Sequence, residues 1–251
     1  MLTELLLELK MKGAMSGLLK LQAEVTDRDE FARQLLLAEL AARQSRALKR
    51  RISSGRFPFV KEWAEIDPAL NPEIEFARIA KLLDGKFIEN RQNLCFMGVP
   101  GTGKTHSLIA LGREMCRKDV SVLFYTACEL VNALEEAKQA YRLSKFMAGL
   151  KKTKLLIIDE LGFVPLSEAG ARLLFDVFAS RYERGSIAVS TNLPFEKWVQ
   201  IFLTVELTAA LIDRFTHRAN IFTFRGQSVR LLEASGKFRN GKKLGKMDGN
   251  K

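Results

Sequence analysis

Several features are scarce in this sequence, and their scarcity narrows its class. No apolar run reaches the length of a membrane span, so we do not expect a membrane protein. The first residues carry two acids and neither a basic segment nor a small-residue cleavage site, so we expect no signal peptide. The three cysteines, Cys95, Cys116 and Cys128, form neither a metal-binding spacing nor an even disulfide set. Reduced core thiols and a cytoplasmic location are therefore expected.

Acidic residues are fewer than basic ones, and they are unevenly distributed along the chain. With 40 Lys and Arg against 29 Asp and Glu, the net charge is +11, which favours an anionic partner such as nucleic acid. No acid lies between Glu39 and Glu62, and this basic run is either a DNA-binding surface or a solvated face. Its predicted DNA-binding residues are Arg43, Arg46, Lys49, Arg50, Arg51 and Arg56. Residues 236–251 are basic and glycine-rich, which predicts a disordered tail.

One glycine-rich segment dominates what the sequence does contain. Residues 98–105 fit the phosphate-binding P-loop pattern, in which backbone N–H groups and the dipole of the next helix face anionic oxygens. Lys104 is expected to reach the β- and γ-phosphates of ATP, and the Thr105 hydroxyl to bind Mg²⁺. The predicted nucleotide contacts are Gly98, Val99, Pro100, Gly101, Thr102, Gly103, Lys104, Thr105 and His106.

The residues around this loop have the periodicity of an α/β domain. A buried strand is predicted at 93–97 and a helix at 104–118. Apolar runs at 120–125, 155–158, 187–190 and 221–224 then alternate with helical segments at 129–150 and 173–183. The alternation predicts a parallel sheet flanked by helices, with the strand at 221–224 on its edge.

Polar residues follow two of the predicted strands. The buried run at 155–158 ends in Asp159 and Glu160. We expect its strand to lie next to the P-loop strand, so that Asp159 holds the Mg²⁺ shell and Glu160 activates the attacking water. Asn192, after the next strand, either positions that water or is a turn residue, because Asn192-Leu193-Pro194 is also a turn signal.

Residues 1–68 are predicted to form a small all-α domain that precedes an ATPase domain at 69–235. A short helix at 2–11 is followed by Gly13 and Gly17, which are expected to interrupt helical structure. Thr26 is expected to cap a long helix that ends near Ser53. The predicted apolar stripe of this helix comprises Phe31, Leu35, Leu36, Ala38, Leu40 and Ala42. An extended connection at 57–68 and a helix at 72–84 follow.

Three segments together resemble those of AAA+ ATPases: Gly98–Thr105, Leu155–Glu160 and Ser190–Asn192. The branch they resemble contains the helicase loader DnaC and the transposition helper IstB. Residues 211–215 are similar to the segment that carries the arginine finger of that branch, which implies this role for Arg214, with Arg218 as the alternative. Residues 226–231 resemble the motif that ends its ATPase core, which implies a nucleotide contact for Arg230 and no C-terminal lid.

The two ends of the resemblance differ in how well they match. Within 226–231, Val229 stands where the family usually has Tyr, which puts the local alignment in doubt but leaves the arginine in place. The N-terminal region, with its early Gly-Ala-Met-Ser-Gly segment and its basic run, resembles the N-terminal domain of IstB. The resemblance therefore covers nearly the whole chain except the tail.

Membership of this family would imply a function. The protein would be an ATP- and Mg²⁺-dependent ATPase that forms homo-oligomers on double-stranded DNA, remodels it, and recruits or activates a partner transposase in insertion-sequence transposition. A replicative helicase loader of the DnaC or DnaI type is the alternative, although no cysteine precedes Cys95 to form the zinc module of some such loaders. A nucleotide-gated DNA-binding scaffold without turnover is a third hypothesis, and Glu160 argues against it.

Overall fold

The computed structural model describes residues 2–21, 28–202, 204–234, 238–239 and 242–243. The chain divides into two compact units, Met1–Ser53 and Ser54–Lys251. The division lies before the boundary expected at residue 68, because the segment after Ser54 makes its contacts within the larger unit. There, the backbone N–H of Phe124 donates to the carbonyl of Gly55 at 2.8 Å.

The smaller unit is helical where it is described, as predicted. Its helices are α1 (Leu2–Glu8), α2 (Lys12–Leu21) and α3 (Arg28–Ser54). Its core contains Leu6, Ala14, Leu18 and Leu35, all buried. Leu36 and Leu40 were expected on the apolar stripe but are 59% and 51% exposed, so the stripe is narrower than predicted. Thr26, the expected cap of α3, lies outside the described residues.

Gly13 and Gly17 lie inside α2 and do not interrupt it, so this prediction is wrong. A Cβ on Gly13 would lie 2.3 Å from the Cβ of Ala42, and one on Gly17 would lie 2.9 Å from the Cβ of Ala38. Both distances are shorter than carbon atoms tolerate, so only glycine lets α2 approach α3 this closely. The glycines serve packing between helices and not chain reversal.

The larger unit is built on a parallel sheet. Its strands are β1 (Asn93–Gly98), β2 (Val122–Thr126), β3 (Leu155–Leu161), β4 (Ser186–Thr191) and β5 (Ala219–Phe224), in the order β2-β3-β4-β1-β5. β5 lies on the edge, as predicted. β4 lies between β3 and β1, so the expectation that the strand of Asp159 neighbours the P-loop strand is wrong. The carboxyl ends of all these strands still meet at one edge of the sheet, because the strands are parallel.

Helices cover both faces of this sheet. They are α4 (Phe76–Lys81), α5 (Lys86–Glu89), α6 (Lys104–Arg117), α7 (Ala127–Gln139), α8 (Leu143–Lys152), α9 (Glu168–Arg181), α10 (Val199–Phe202), α11 (Val205–Thr216) and α12 (Val229–Ala234). Alternate residues of β3 face opposite layers. Ile158 lies in the core with Leu134 of α7 and Leu174 of α9. Ile157 instead lies against Gly112 of α6.

Several predicted elements have different bounds. The helix expected at 129–150 is two helices, α7 and α8, separated at Tyr141, whose φ is +54°. The helix expected at 72–84 is shorter, because α4 begins at Phe76 and a 3₁₀ turn covers Leu82–Asp84. The connection expected to be extended contains 3₁₀ turns at Trp63–Glu65 and Pro68–Leu70.

Two further expectations concern the tail and the cysteines. Strands β6 (Phe238–Arg239) and β7 (Lys242–Lys243) pair antiparallel, and the rest of 236–251 lies outside the described residues, so the disordered tail stays a prediction. Cys95 and Cys116 are buried, as expected of core thiols, and burial raises the pKa of Cys95 to about 12. Cys128 is exposed on α7 and is not a core thiol. None of the described helices is long and apolar enough to cross a membrane.

Candidate functional site

The loop between β1 and α6 has the backbone geometry that the sequence predicts. Gly101 and Gly103 have φ values of +82° and +100°, in the left-handed region that favours glycine. A Cβ on Gly101 would also lie 2.1 Å from the side-chain oxygen of Ser228. The loop is braced from inside by the Thr102 hydroxyl, which donates to the carbonyl of Val99 at 2.8 Å. The loop's own residues therefore help to hold it in shape.

Lys104 begins α6 and folds back over the loop. Its Nζ donates to the carbonyls of Gly98 at 2.7 Å and Val99 at 2.9 Å. Burial lowers the pKa of Lys104 to about 8; Asp159 and Glu160 oppose this shift, and the charge of Arg230 adds to it. An ammonium held in this way is poised to exchange carbonyl oxygens for phosphate oxygens.

A hydroxyl and a carboxylate meet beside this lysine. The Thr105 hydroxyl of α6 donates to Oδ1 of Asp159 at 3.1 Å. Asp159 is on β3, which is separated by β4 from β1, the strand that precedes the loop. Because this hydroxyl gives its hydrogen to Asp159, its oxygen lone pairs are left for a cation. Hydroxyl and carboxylate oxygens are the hard ligands that Mg²⁺ prefers, with phosphate and water oxygens completing its shell. The two predicted metal ligands therefore fit Mg²⁺.

Glu160 follows Asp159 in an uncommon backbone conformation. Its φ is +58°, and the pairing of β3 with β4 changes register between Ile158 and Leu161. A left-handed conformation costs a residue other than glycine on the order of 1–3 kcal/mol, and it recurs at functional sites. The backbone N–H of Glu160 donates to the hydroxyl of Ser190 on β4 at 3.0 Å.

Ser190 is the residue that the sequence reasoning missed. It is 2% exposed, and its hydroxyl also donates to Oδ1 of Asp159, so it touches both acids of the site. The prediction had assigned a role only to Asn192, two residues further along. The available signal was a hydroxyl residue at the end of the predicted strand, two residues before Asn192.

An open cavity of about 1010 Å³ collects most of the predicted nucleotide contacts. Lys104, Thr105 and His106 line it together with Glu160 and Asn192. His106 is held edge-on by the ring of Phe59, with the ring centroids 5.3 Å apart. Asn192 is exposed and lines this cavity.

The segment expected to be an extended connection forms one wall of this cavity. Ile66, Asp67 and Leu70 line it. Glu62 fixes the segment to α6 through ion pairs with Arg113 and Arg117, each at 2.6 Å. The segment therefore packs on α6 beside the phosphate-binding loop.

The segment at 226–231 covers the loop from outside. The N–H of Val229 donates to the carbonyl of Gly101 at 2.9 Å, and this contact uses the backbone, so the valine in place of the family's tyrosine does not prevent it. Arg230 lines the cavity and is close enough to Lys104 to lower its pKa. The structure thus brings Arg230 to the predicted nucleotide site.

Arg214 lies elsewhere. It is exposed in the last turn of α11 and lines a small cavity with Asn93 and Phe215, away from the P-loop. The alternative residue, Arg218, lies 3.9 Å from the carboxylate of Glu183. No ion pair of Arg214 is found among the described residues. Neither arginine lines the cavity beside the phosphate-binding loop.

Two of the predicted DNA-binding residues are used inside the smaller unit. Oε1 of Glu39 accepts hydrogen bonds from Arg43 at 2.6 Å and Arg46 at 3.2 Å, and its Oε2 accepts the N–H groups of Gly13 and Ala14 in the first turn of α2. The hydrogen bond from Arg43 lowers the pKa of Glu39 to about 2, and the two N–H groups act in the same direction. Glu39, which is 3% exposed, therefore caps α2, and the arginines balance its charge.

The other residues of the basic run differ from these. Lys49 and Arg50 are exposed on α3, with no ion pair found among the described residues. Arg51 is partly buried. The guanidinium of Arg56 stacks over the ring of Tyr125, 4.4 Å from its centroid.

A second basic run, which the sequence analysis did not identify, lies at residues 137–158, on the end of α7, on α8 and before β3. No acid lies between Glu136 and Asp159, and the basic residues between them are Lys138, Arg142, Lys145, Lys151, Lys152 and Lys154. All six are exposed, and no ion pair of theirs is found in the described part of the chain. Tyr141, in the turn between α7 and α8, is 98% exposed beside them. Its signal in the sequence is the same as that of the first run, a long stretch of basic residues without an acid.

The comparison with known families matches residues 3–236 to the family described as IstB-like ATP binding protein. The chain belongs to this family. The phosphate-binding loop is therefore the loop of an ATP-binding protein, and the predicted resemblance is confirmed.

Relatives of similar length are known from insertion sequences. A Geobacillus stearothermophilus protein named for ATP binding in insertion sequence IS5376 is 37% identical over 204 residues, which is 81% of each chain. A Pseudomonas aeruginosa protein named for ATP binding in insertion sequence IS21 is 33% identical over 204 residues, which is 81% of this chain and 77% of the relative.

Solved structures support the AAA+ fold that the sequence predicts. The structure of DnaI has a TM-score of 0.56 at 19% identity and covers 66% of this chain and 91% of its own. The DnaC helicase loader has a TM-score of 0.51 at 18% identity and covers 70% of this chain and 99% of its own. At these identities the likeness concerns the fold alone.

Proposed function

We propose that this protein is an ATP-dependent transposition helper that hydrolyses ATP, forms homo-oligomers on double-stranded DNA, remodels that DNA, and recruits or activates the transposase of its insertion sequence. The observation that carries the proposal is the position of Glu160, in the same cavity as Lys104 and Asn192, in a chain of the IstB-like family. The insertion-sequence relatives supply the context of transposition.

The proposed hydrolysis assigns one task to each side chain of the cavity. The loop N–H groups and Lys104 bind the phosphate oxygens, and Glu160 accepts the proton of the attacking water. Asn192 orients that water. Thr105 and Asp159 would hold Mg²⁺, which neutralises charge on the β- and γ-phosphates when it is bound. Arg230 would contact the nucleotide from the side of α12.

The proposed oligomer explains where Arg214 lies. An arginine finger stabilises the charge that develops on the transferred phosphoryl group, and it can come from a neighbouring subunit. Arg214 is exposed, lies outside the cavity of its own subunit, and has no ion pair among the described residues. Arg218 has Glu183 beside it, which makes it the weaker choice.

The proposed DNA contacts lie on both units. Lys49 and Arg50 on α3 are exposed cations, and Lys138, Arg142 and Lys145 form a second set on α7 and α8. Phosphate contacts of this kind give strong salt dependence and little sequence preference. Arg51 and Arg56 belong to the same proposal, and Arg43 and Arg46 would have to leave Glu39 first.

The test is the substitution Glu160→Gln, which keeps the size of the side chain and removes its basicity. We expect ATP binding to be retained and turnover to fall by about 10²–10⁴-fold, the usual contribution of a general base. In ATP, this variant should stay on duplex DNA as an oligomer, measured by sedimentation and by electron microscopy. Glu168→Gln is the matched control, because Glu168 is an exposed residue of α9 paired with Arg172 and outside the cavity.

The outcomes separate the proposal from its competitors. Full turnover in Glu160→Gln would remove Glu160 from the reaction, and release of the variant from DNA in ATP would break the proposed coupling. Absence of turnover in the unaltered protein under every DNA condition would favour a nucleotide-gated scaffold. The fold shared with DnaC and DnaI makes a helicase loader the second candidate. A stable complex with a replicative helicase, and none with the transposase, would establish that alternative.

A further inference from the structure

Ser190 joins the two acids of the site through one oxygen atom. It lies near the end of β4, is 2% exposed, and is one of three buried polar residues in that strand, with Ser186 and Thr191. Its hydroxyl donates to Oδ1 of Asp159 and accepts the backbone N–H of Glu160 at 3.0 Å. Both groups that it contacts belong to β3, which lies beside β4.

The contact falls where β3 departs from regular pairing. The register with β4 shifts between Ile158 and Leu161, and Glu160 has a φ of +58°. A residue other than glycine keeps such a conformation only where its surroundings hold it. The N–H bond to Ser190 is one restraint that holds Glu160 in it, and the direction of the Glu160 side chain depends on this backbone conformation.

We propose that Ser190 is a positioning residue that fixes Asp159 and Glu160 relative to each other, so that the metal ligand and the water-activating carboxylate face the phosphate-binding loop together. The inference rests on the proposed ATP hydrolysis for its effect on turnover. Ser190 also lines the cavity, but the role we assign to it is exerted through the two acids and not by direct contact with nucleotide or water.

The role requires a side chain that can donate and accept at once. A hydroxyl offers one donor and two lone pairs, so it can serve Asp159 and Glu160 together. Threonine keeps the hydroxyl, whereas valine has the same shape with a methyl group in its place. Any cost of the added methyl group in this buried position is shared by the two variants, so their difference reports on the hydroxyl alone.

The experiment compares Ser190→Thr with Ser190→Val in the full chain. For Ser190→Val we expect kcat to fall by about 10²-fold, the usual effect when a catalytic group is displaced by about 1 Å, and the KM for ATP in Mg²⁺ to rise by no more than about 10-fold. Ser190→Thr should recover most of that loss. Thermal unfolding of both variants checks that they are equally folded.

A second measurement does not depend on turnover. The affinity for a non-hydrolysable ATP analogue is measured by calorimetry, once with Mg²⁺ and once with EDTA. Because Asp159 loses the hydroxyl that orients it, the gain in affinity due to Mg²⁺ should shrink by about 10-fold in Ser190→Val and not in Ser190→Thr, as when the partner of a metal ligand is removed.

Equal losses in the two variants would show that packing, and not the hydroxyl, matters at this position, and would overturn the proposal. So would wild-type values of both kcat and the Mg²⁺ effect in Ser190→Val. If the bulkier variants do not fold, Ser190→Ala must show the same losses as those expected for valine. If the unaltered protein does not hydrolyse ATP, the proposed function fails, and the Mg²⁺ effect alone decides the role of Ser190.

Discussion

The two units of this protein use their charged residues in opposite ways. In the larger unit, Lys104 and Glu160 are held by backbone groups and a hydroxyl, so their own charges face the cavity. In the smaller unit, Arg43 and Arg46 are paired with the buried Glu39. The first arrangement leaves the charges of Lys104 and Glu160 available for a ligand. In the second, the charges of the two arginines are balanced by the buried carboxylate of Glu39. A count of basic residues therefore overstates the charge that a partner can meet.

The same difference separates the two basic runs. The run after Glu39 begins with Arg43 and Arg46, which balance the charge of that acid. The run after Glu136 has no ion pair among the described residues and surrounds the exposed ring of Tyr141. The sequence makes the two look equivalent, because neither contains an acid. The fold shows that Glu39, the acid just before the first run, pairs with Arg43 and Arg46 of that run.

The largest expected effect concerns the larger unit, where the charge of Lys104 should serve the ligand directly. Lys104→Ala should weaken ATP binding by about 10²-fold, the usual cost of removing one partner of a buried charged contact. The wild-type affinity should also fall as the pH rises above about 8, because free Lys104 loses its proton there and phosphate binds its charged form. The check is a titration of ATP affinity from about pH 7 to 9.5.

The control for this titration is Lys104→Ala itself, whose weak binding should not change over the same range. The phosphates lose their last proton near pH ~6, below this window, so they do not mimic the effect. A wild-type affinity that is constant up to pH 9.5 would show that Lys104 keeps its proton and that its charge is as freely available as that of a surface lysine.

The local parts of this site were predictable from the sequence, and its cross-strand parts were not. Gly101, Gly103 and Lys104 belong to one loop whose conformation follows from their spacing, and the loop is as expected. Asp159 was expected to follow the end of its strand, but β3 continues to Leu161, and this strand is two positions from β1 and not adjacent. Strand order depends on how helices cross the sheet, and no local pattern encodes it.

The errors in the smaller unit have the same physical origin. Glycines such as Gly13 and Gly17 usually indicate a break in a helix, but here the close approach of α2 and α3 requires them. In the sequence, Glu39 only marked the residue before the basic run. In the structure it caps a helix that lies 25 or more residues earlier in the chain. In both cases the deciding partner is distant in sequence, and periodicity within one helix carries no information about it.

A smaller effect is expected when the internal charge of the smaller unit is removed. Glu39→Gln should loosen α2 and α3, because Arg43 and Arg46 lose their partner, and hydrogen exchange of these helices should accelerate. In the wild type, the pKa of Glu39 is lowered from 4.5 to about 2, so this stabilisation is complete above pH 4.5 and is lost as the pH falls toward about 2. Glu39→Gln should lack that acid-dependent loss.

Glu30→Gln is the matched control for this prediction. Glu30 lies on the same helix and has its pKa lowered to about 2 by Arg33 and Gln34, but its partners are its own neighbours on α3. Surface pairs of this kind contribute little to stability, so exchange should hardly change. Equal acceleration in both variants would mean that the cap on α2 adds nothing beyond an ordinary surface pair.

The smallest effect tests the comparison itself, through the salt dependence of DNA binding. Lys49→Ala with Arg50→Ala should lower the slope of log affinity against log salt concentration by about 2, since each lost phosphate contact removes about 0.9 from it. Arg43→Gln with Arg46→Gln should leave the slope unchanged, because those cations already face Glu39. Hydrogen exchange of α2 and α3 must accelerate in the second pair and not in the first. If both pairs lower the slope equally, Glu39 releases its arginines to DNA, and the formal charge of the run would be the charge that DNA meets.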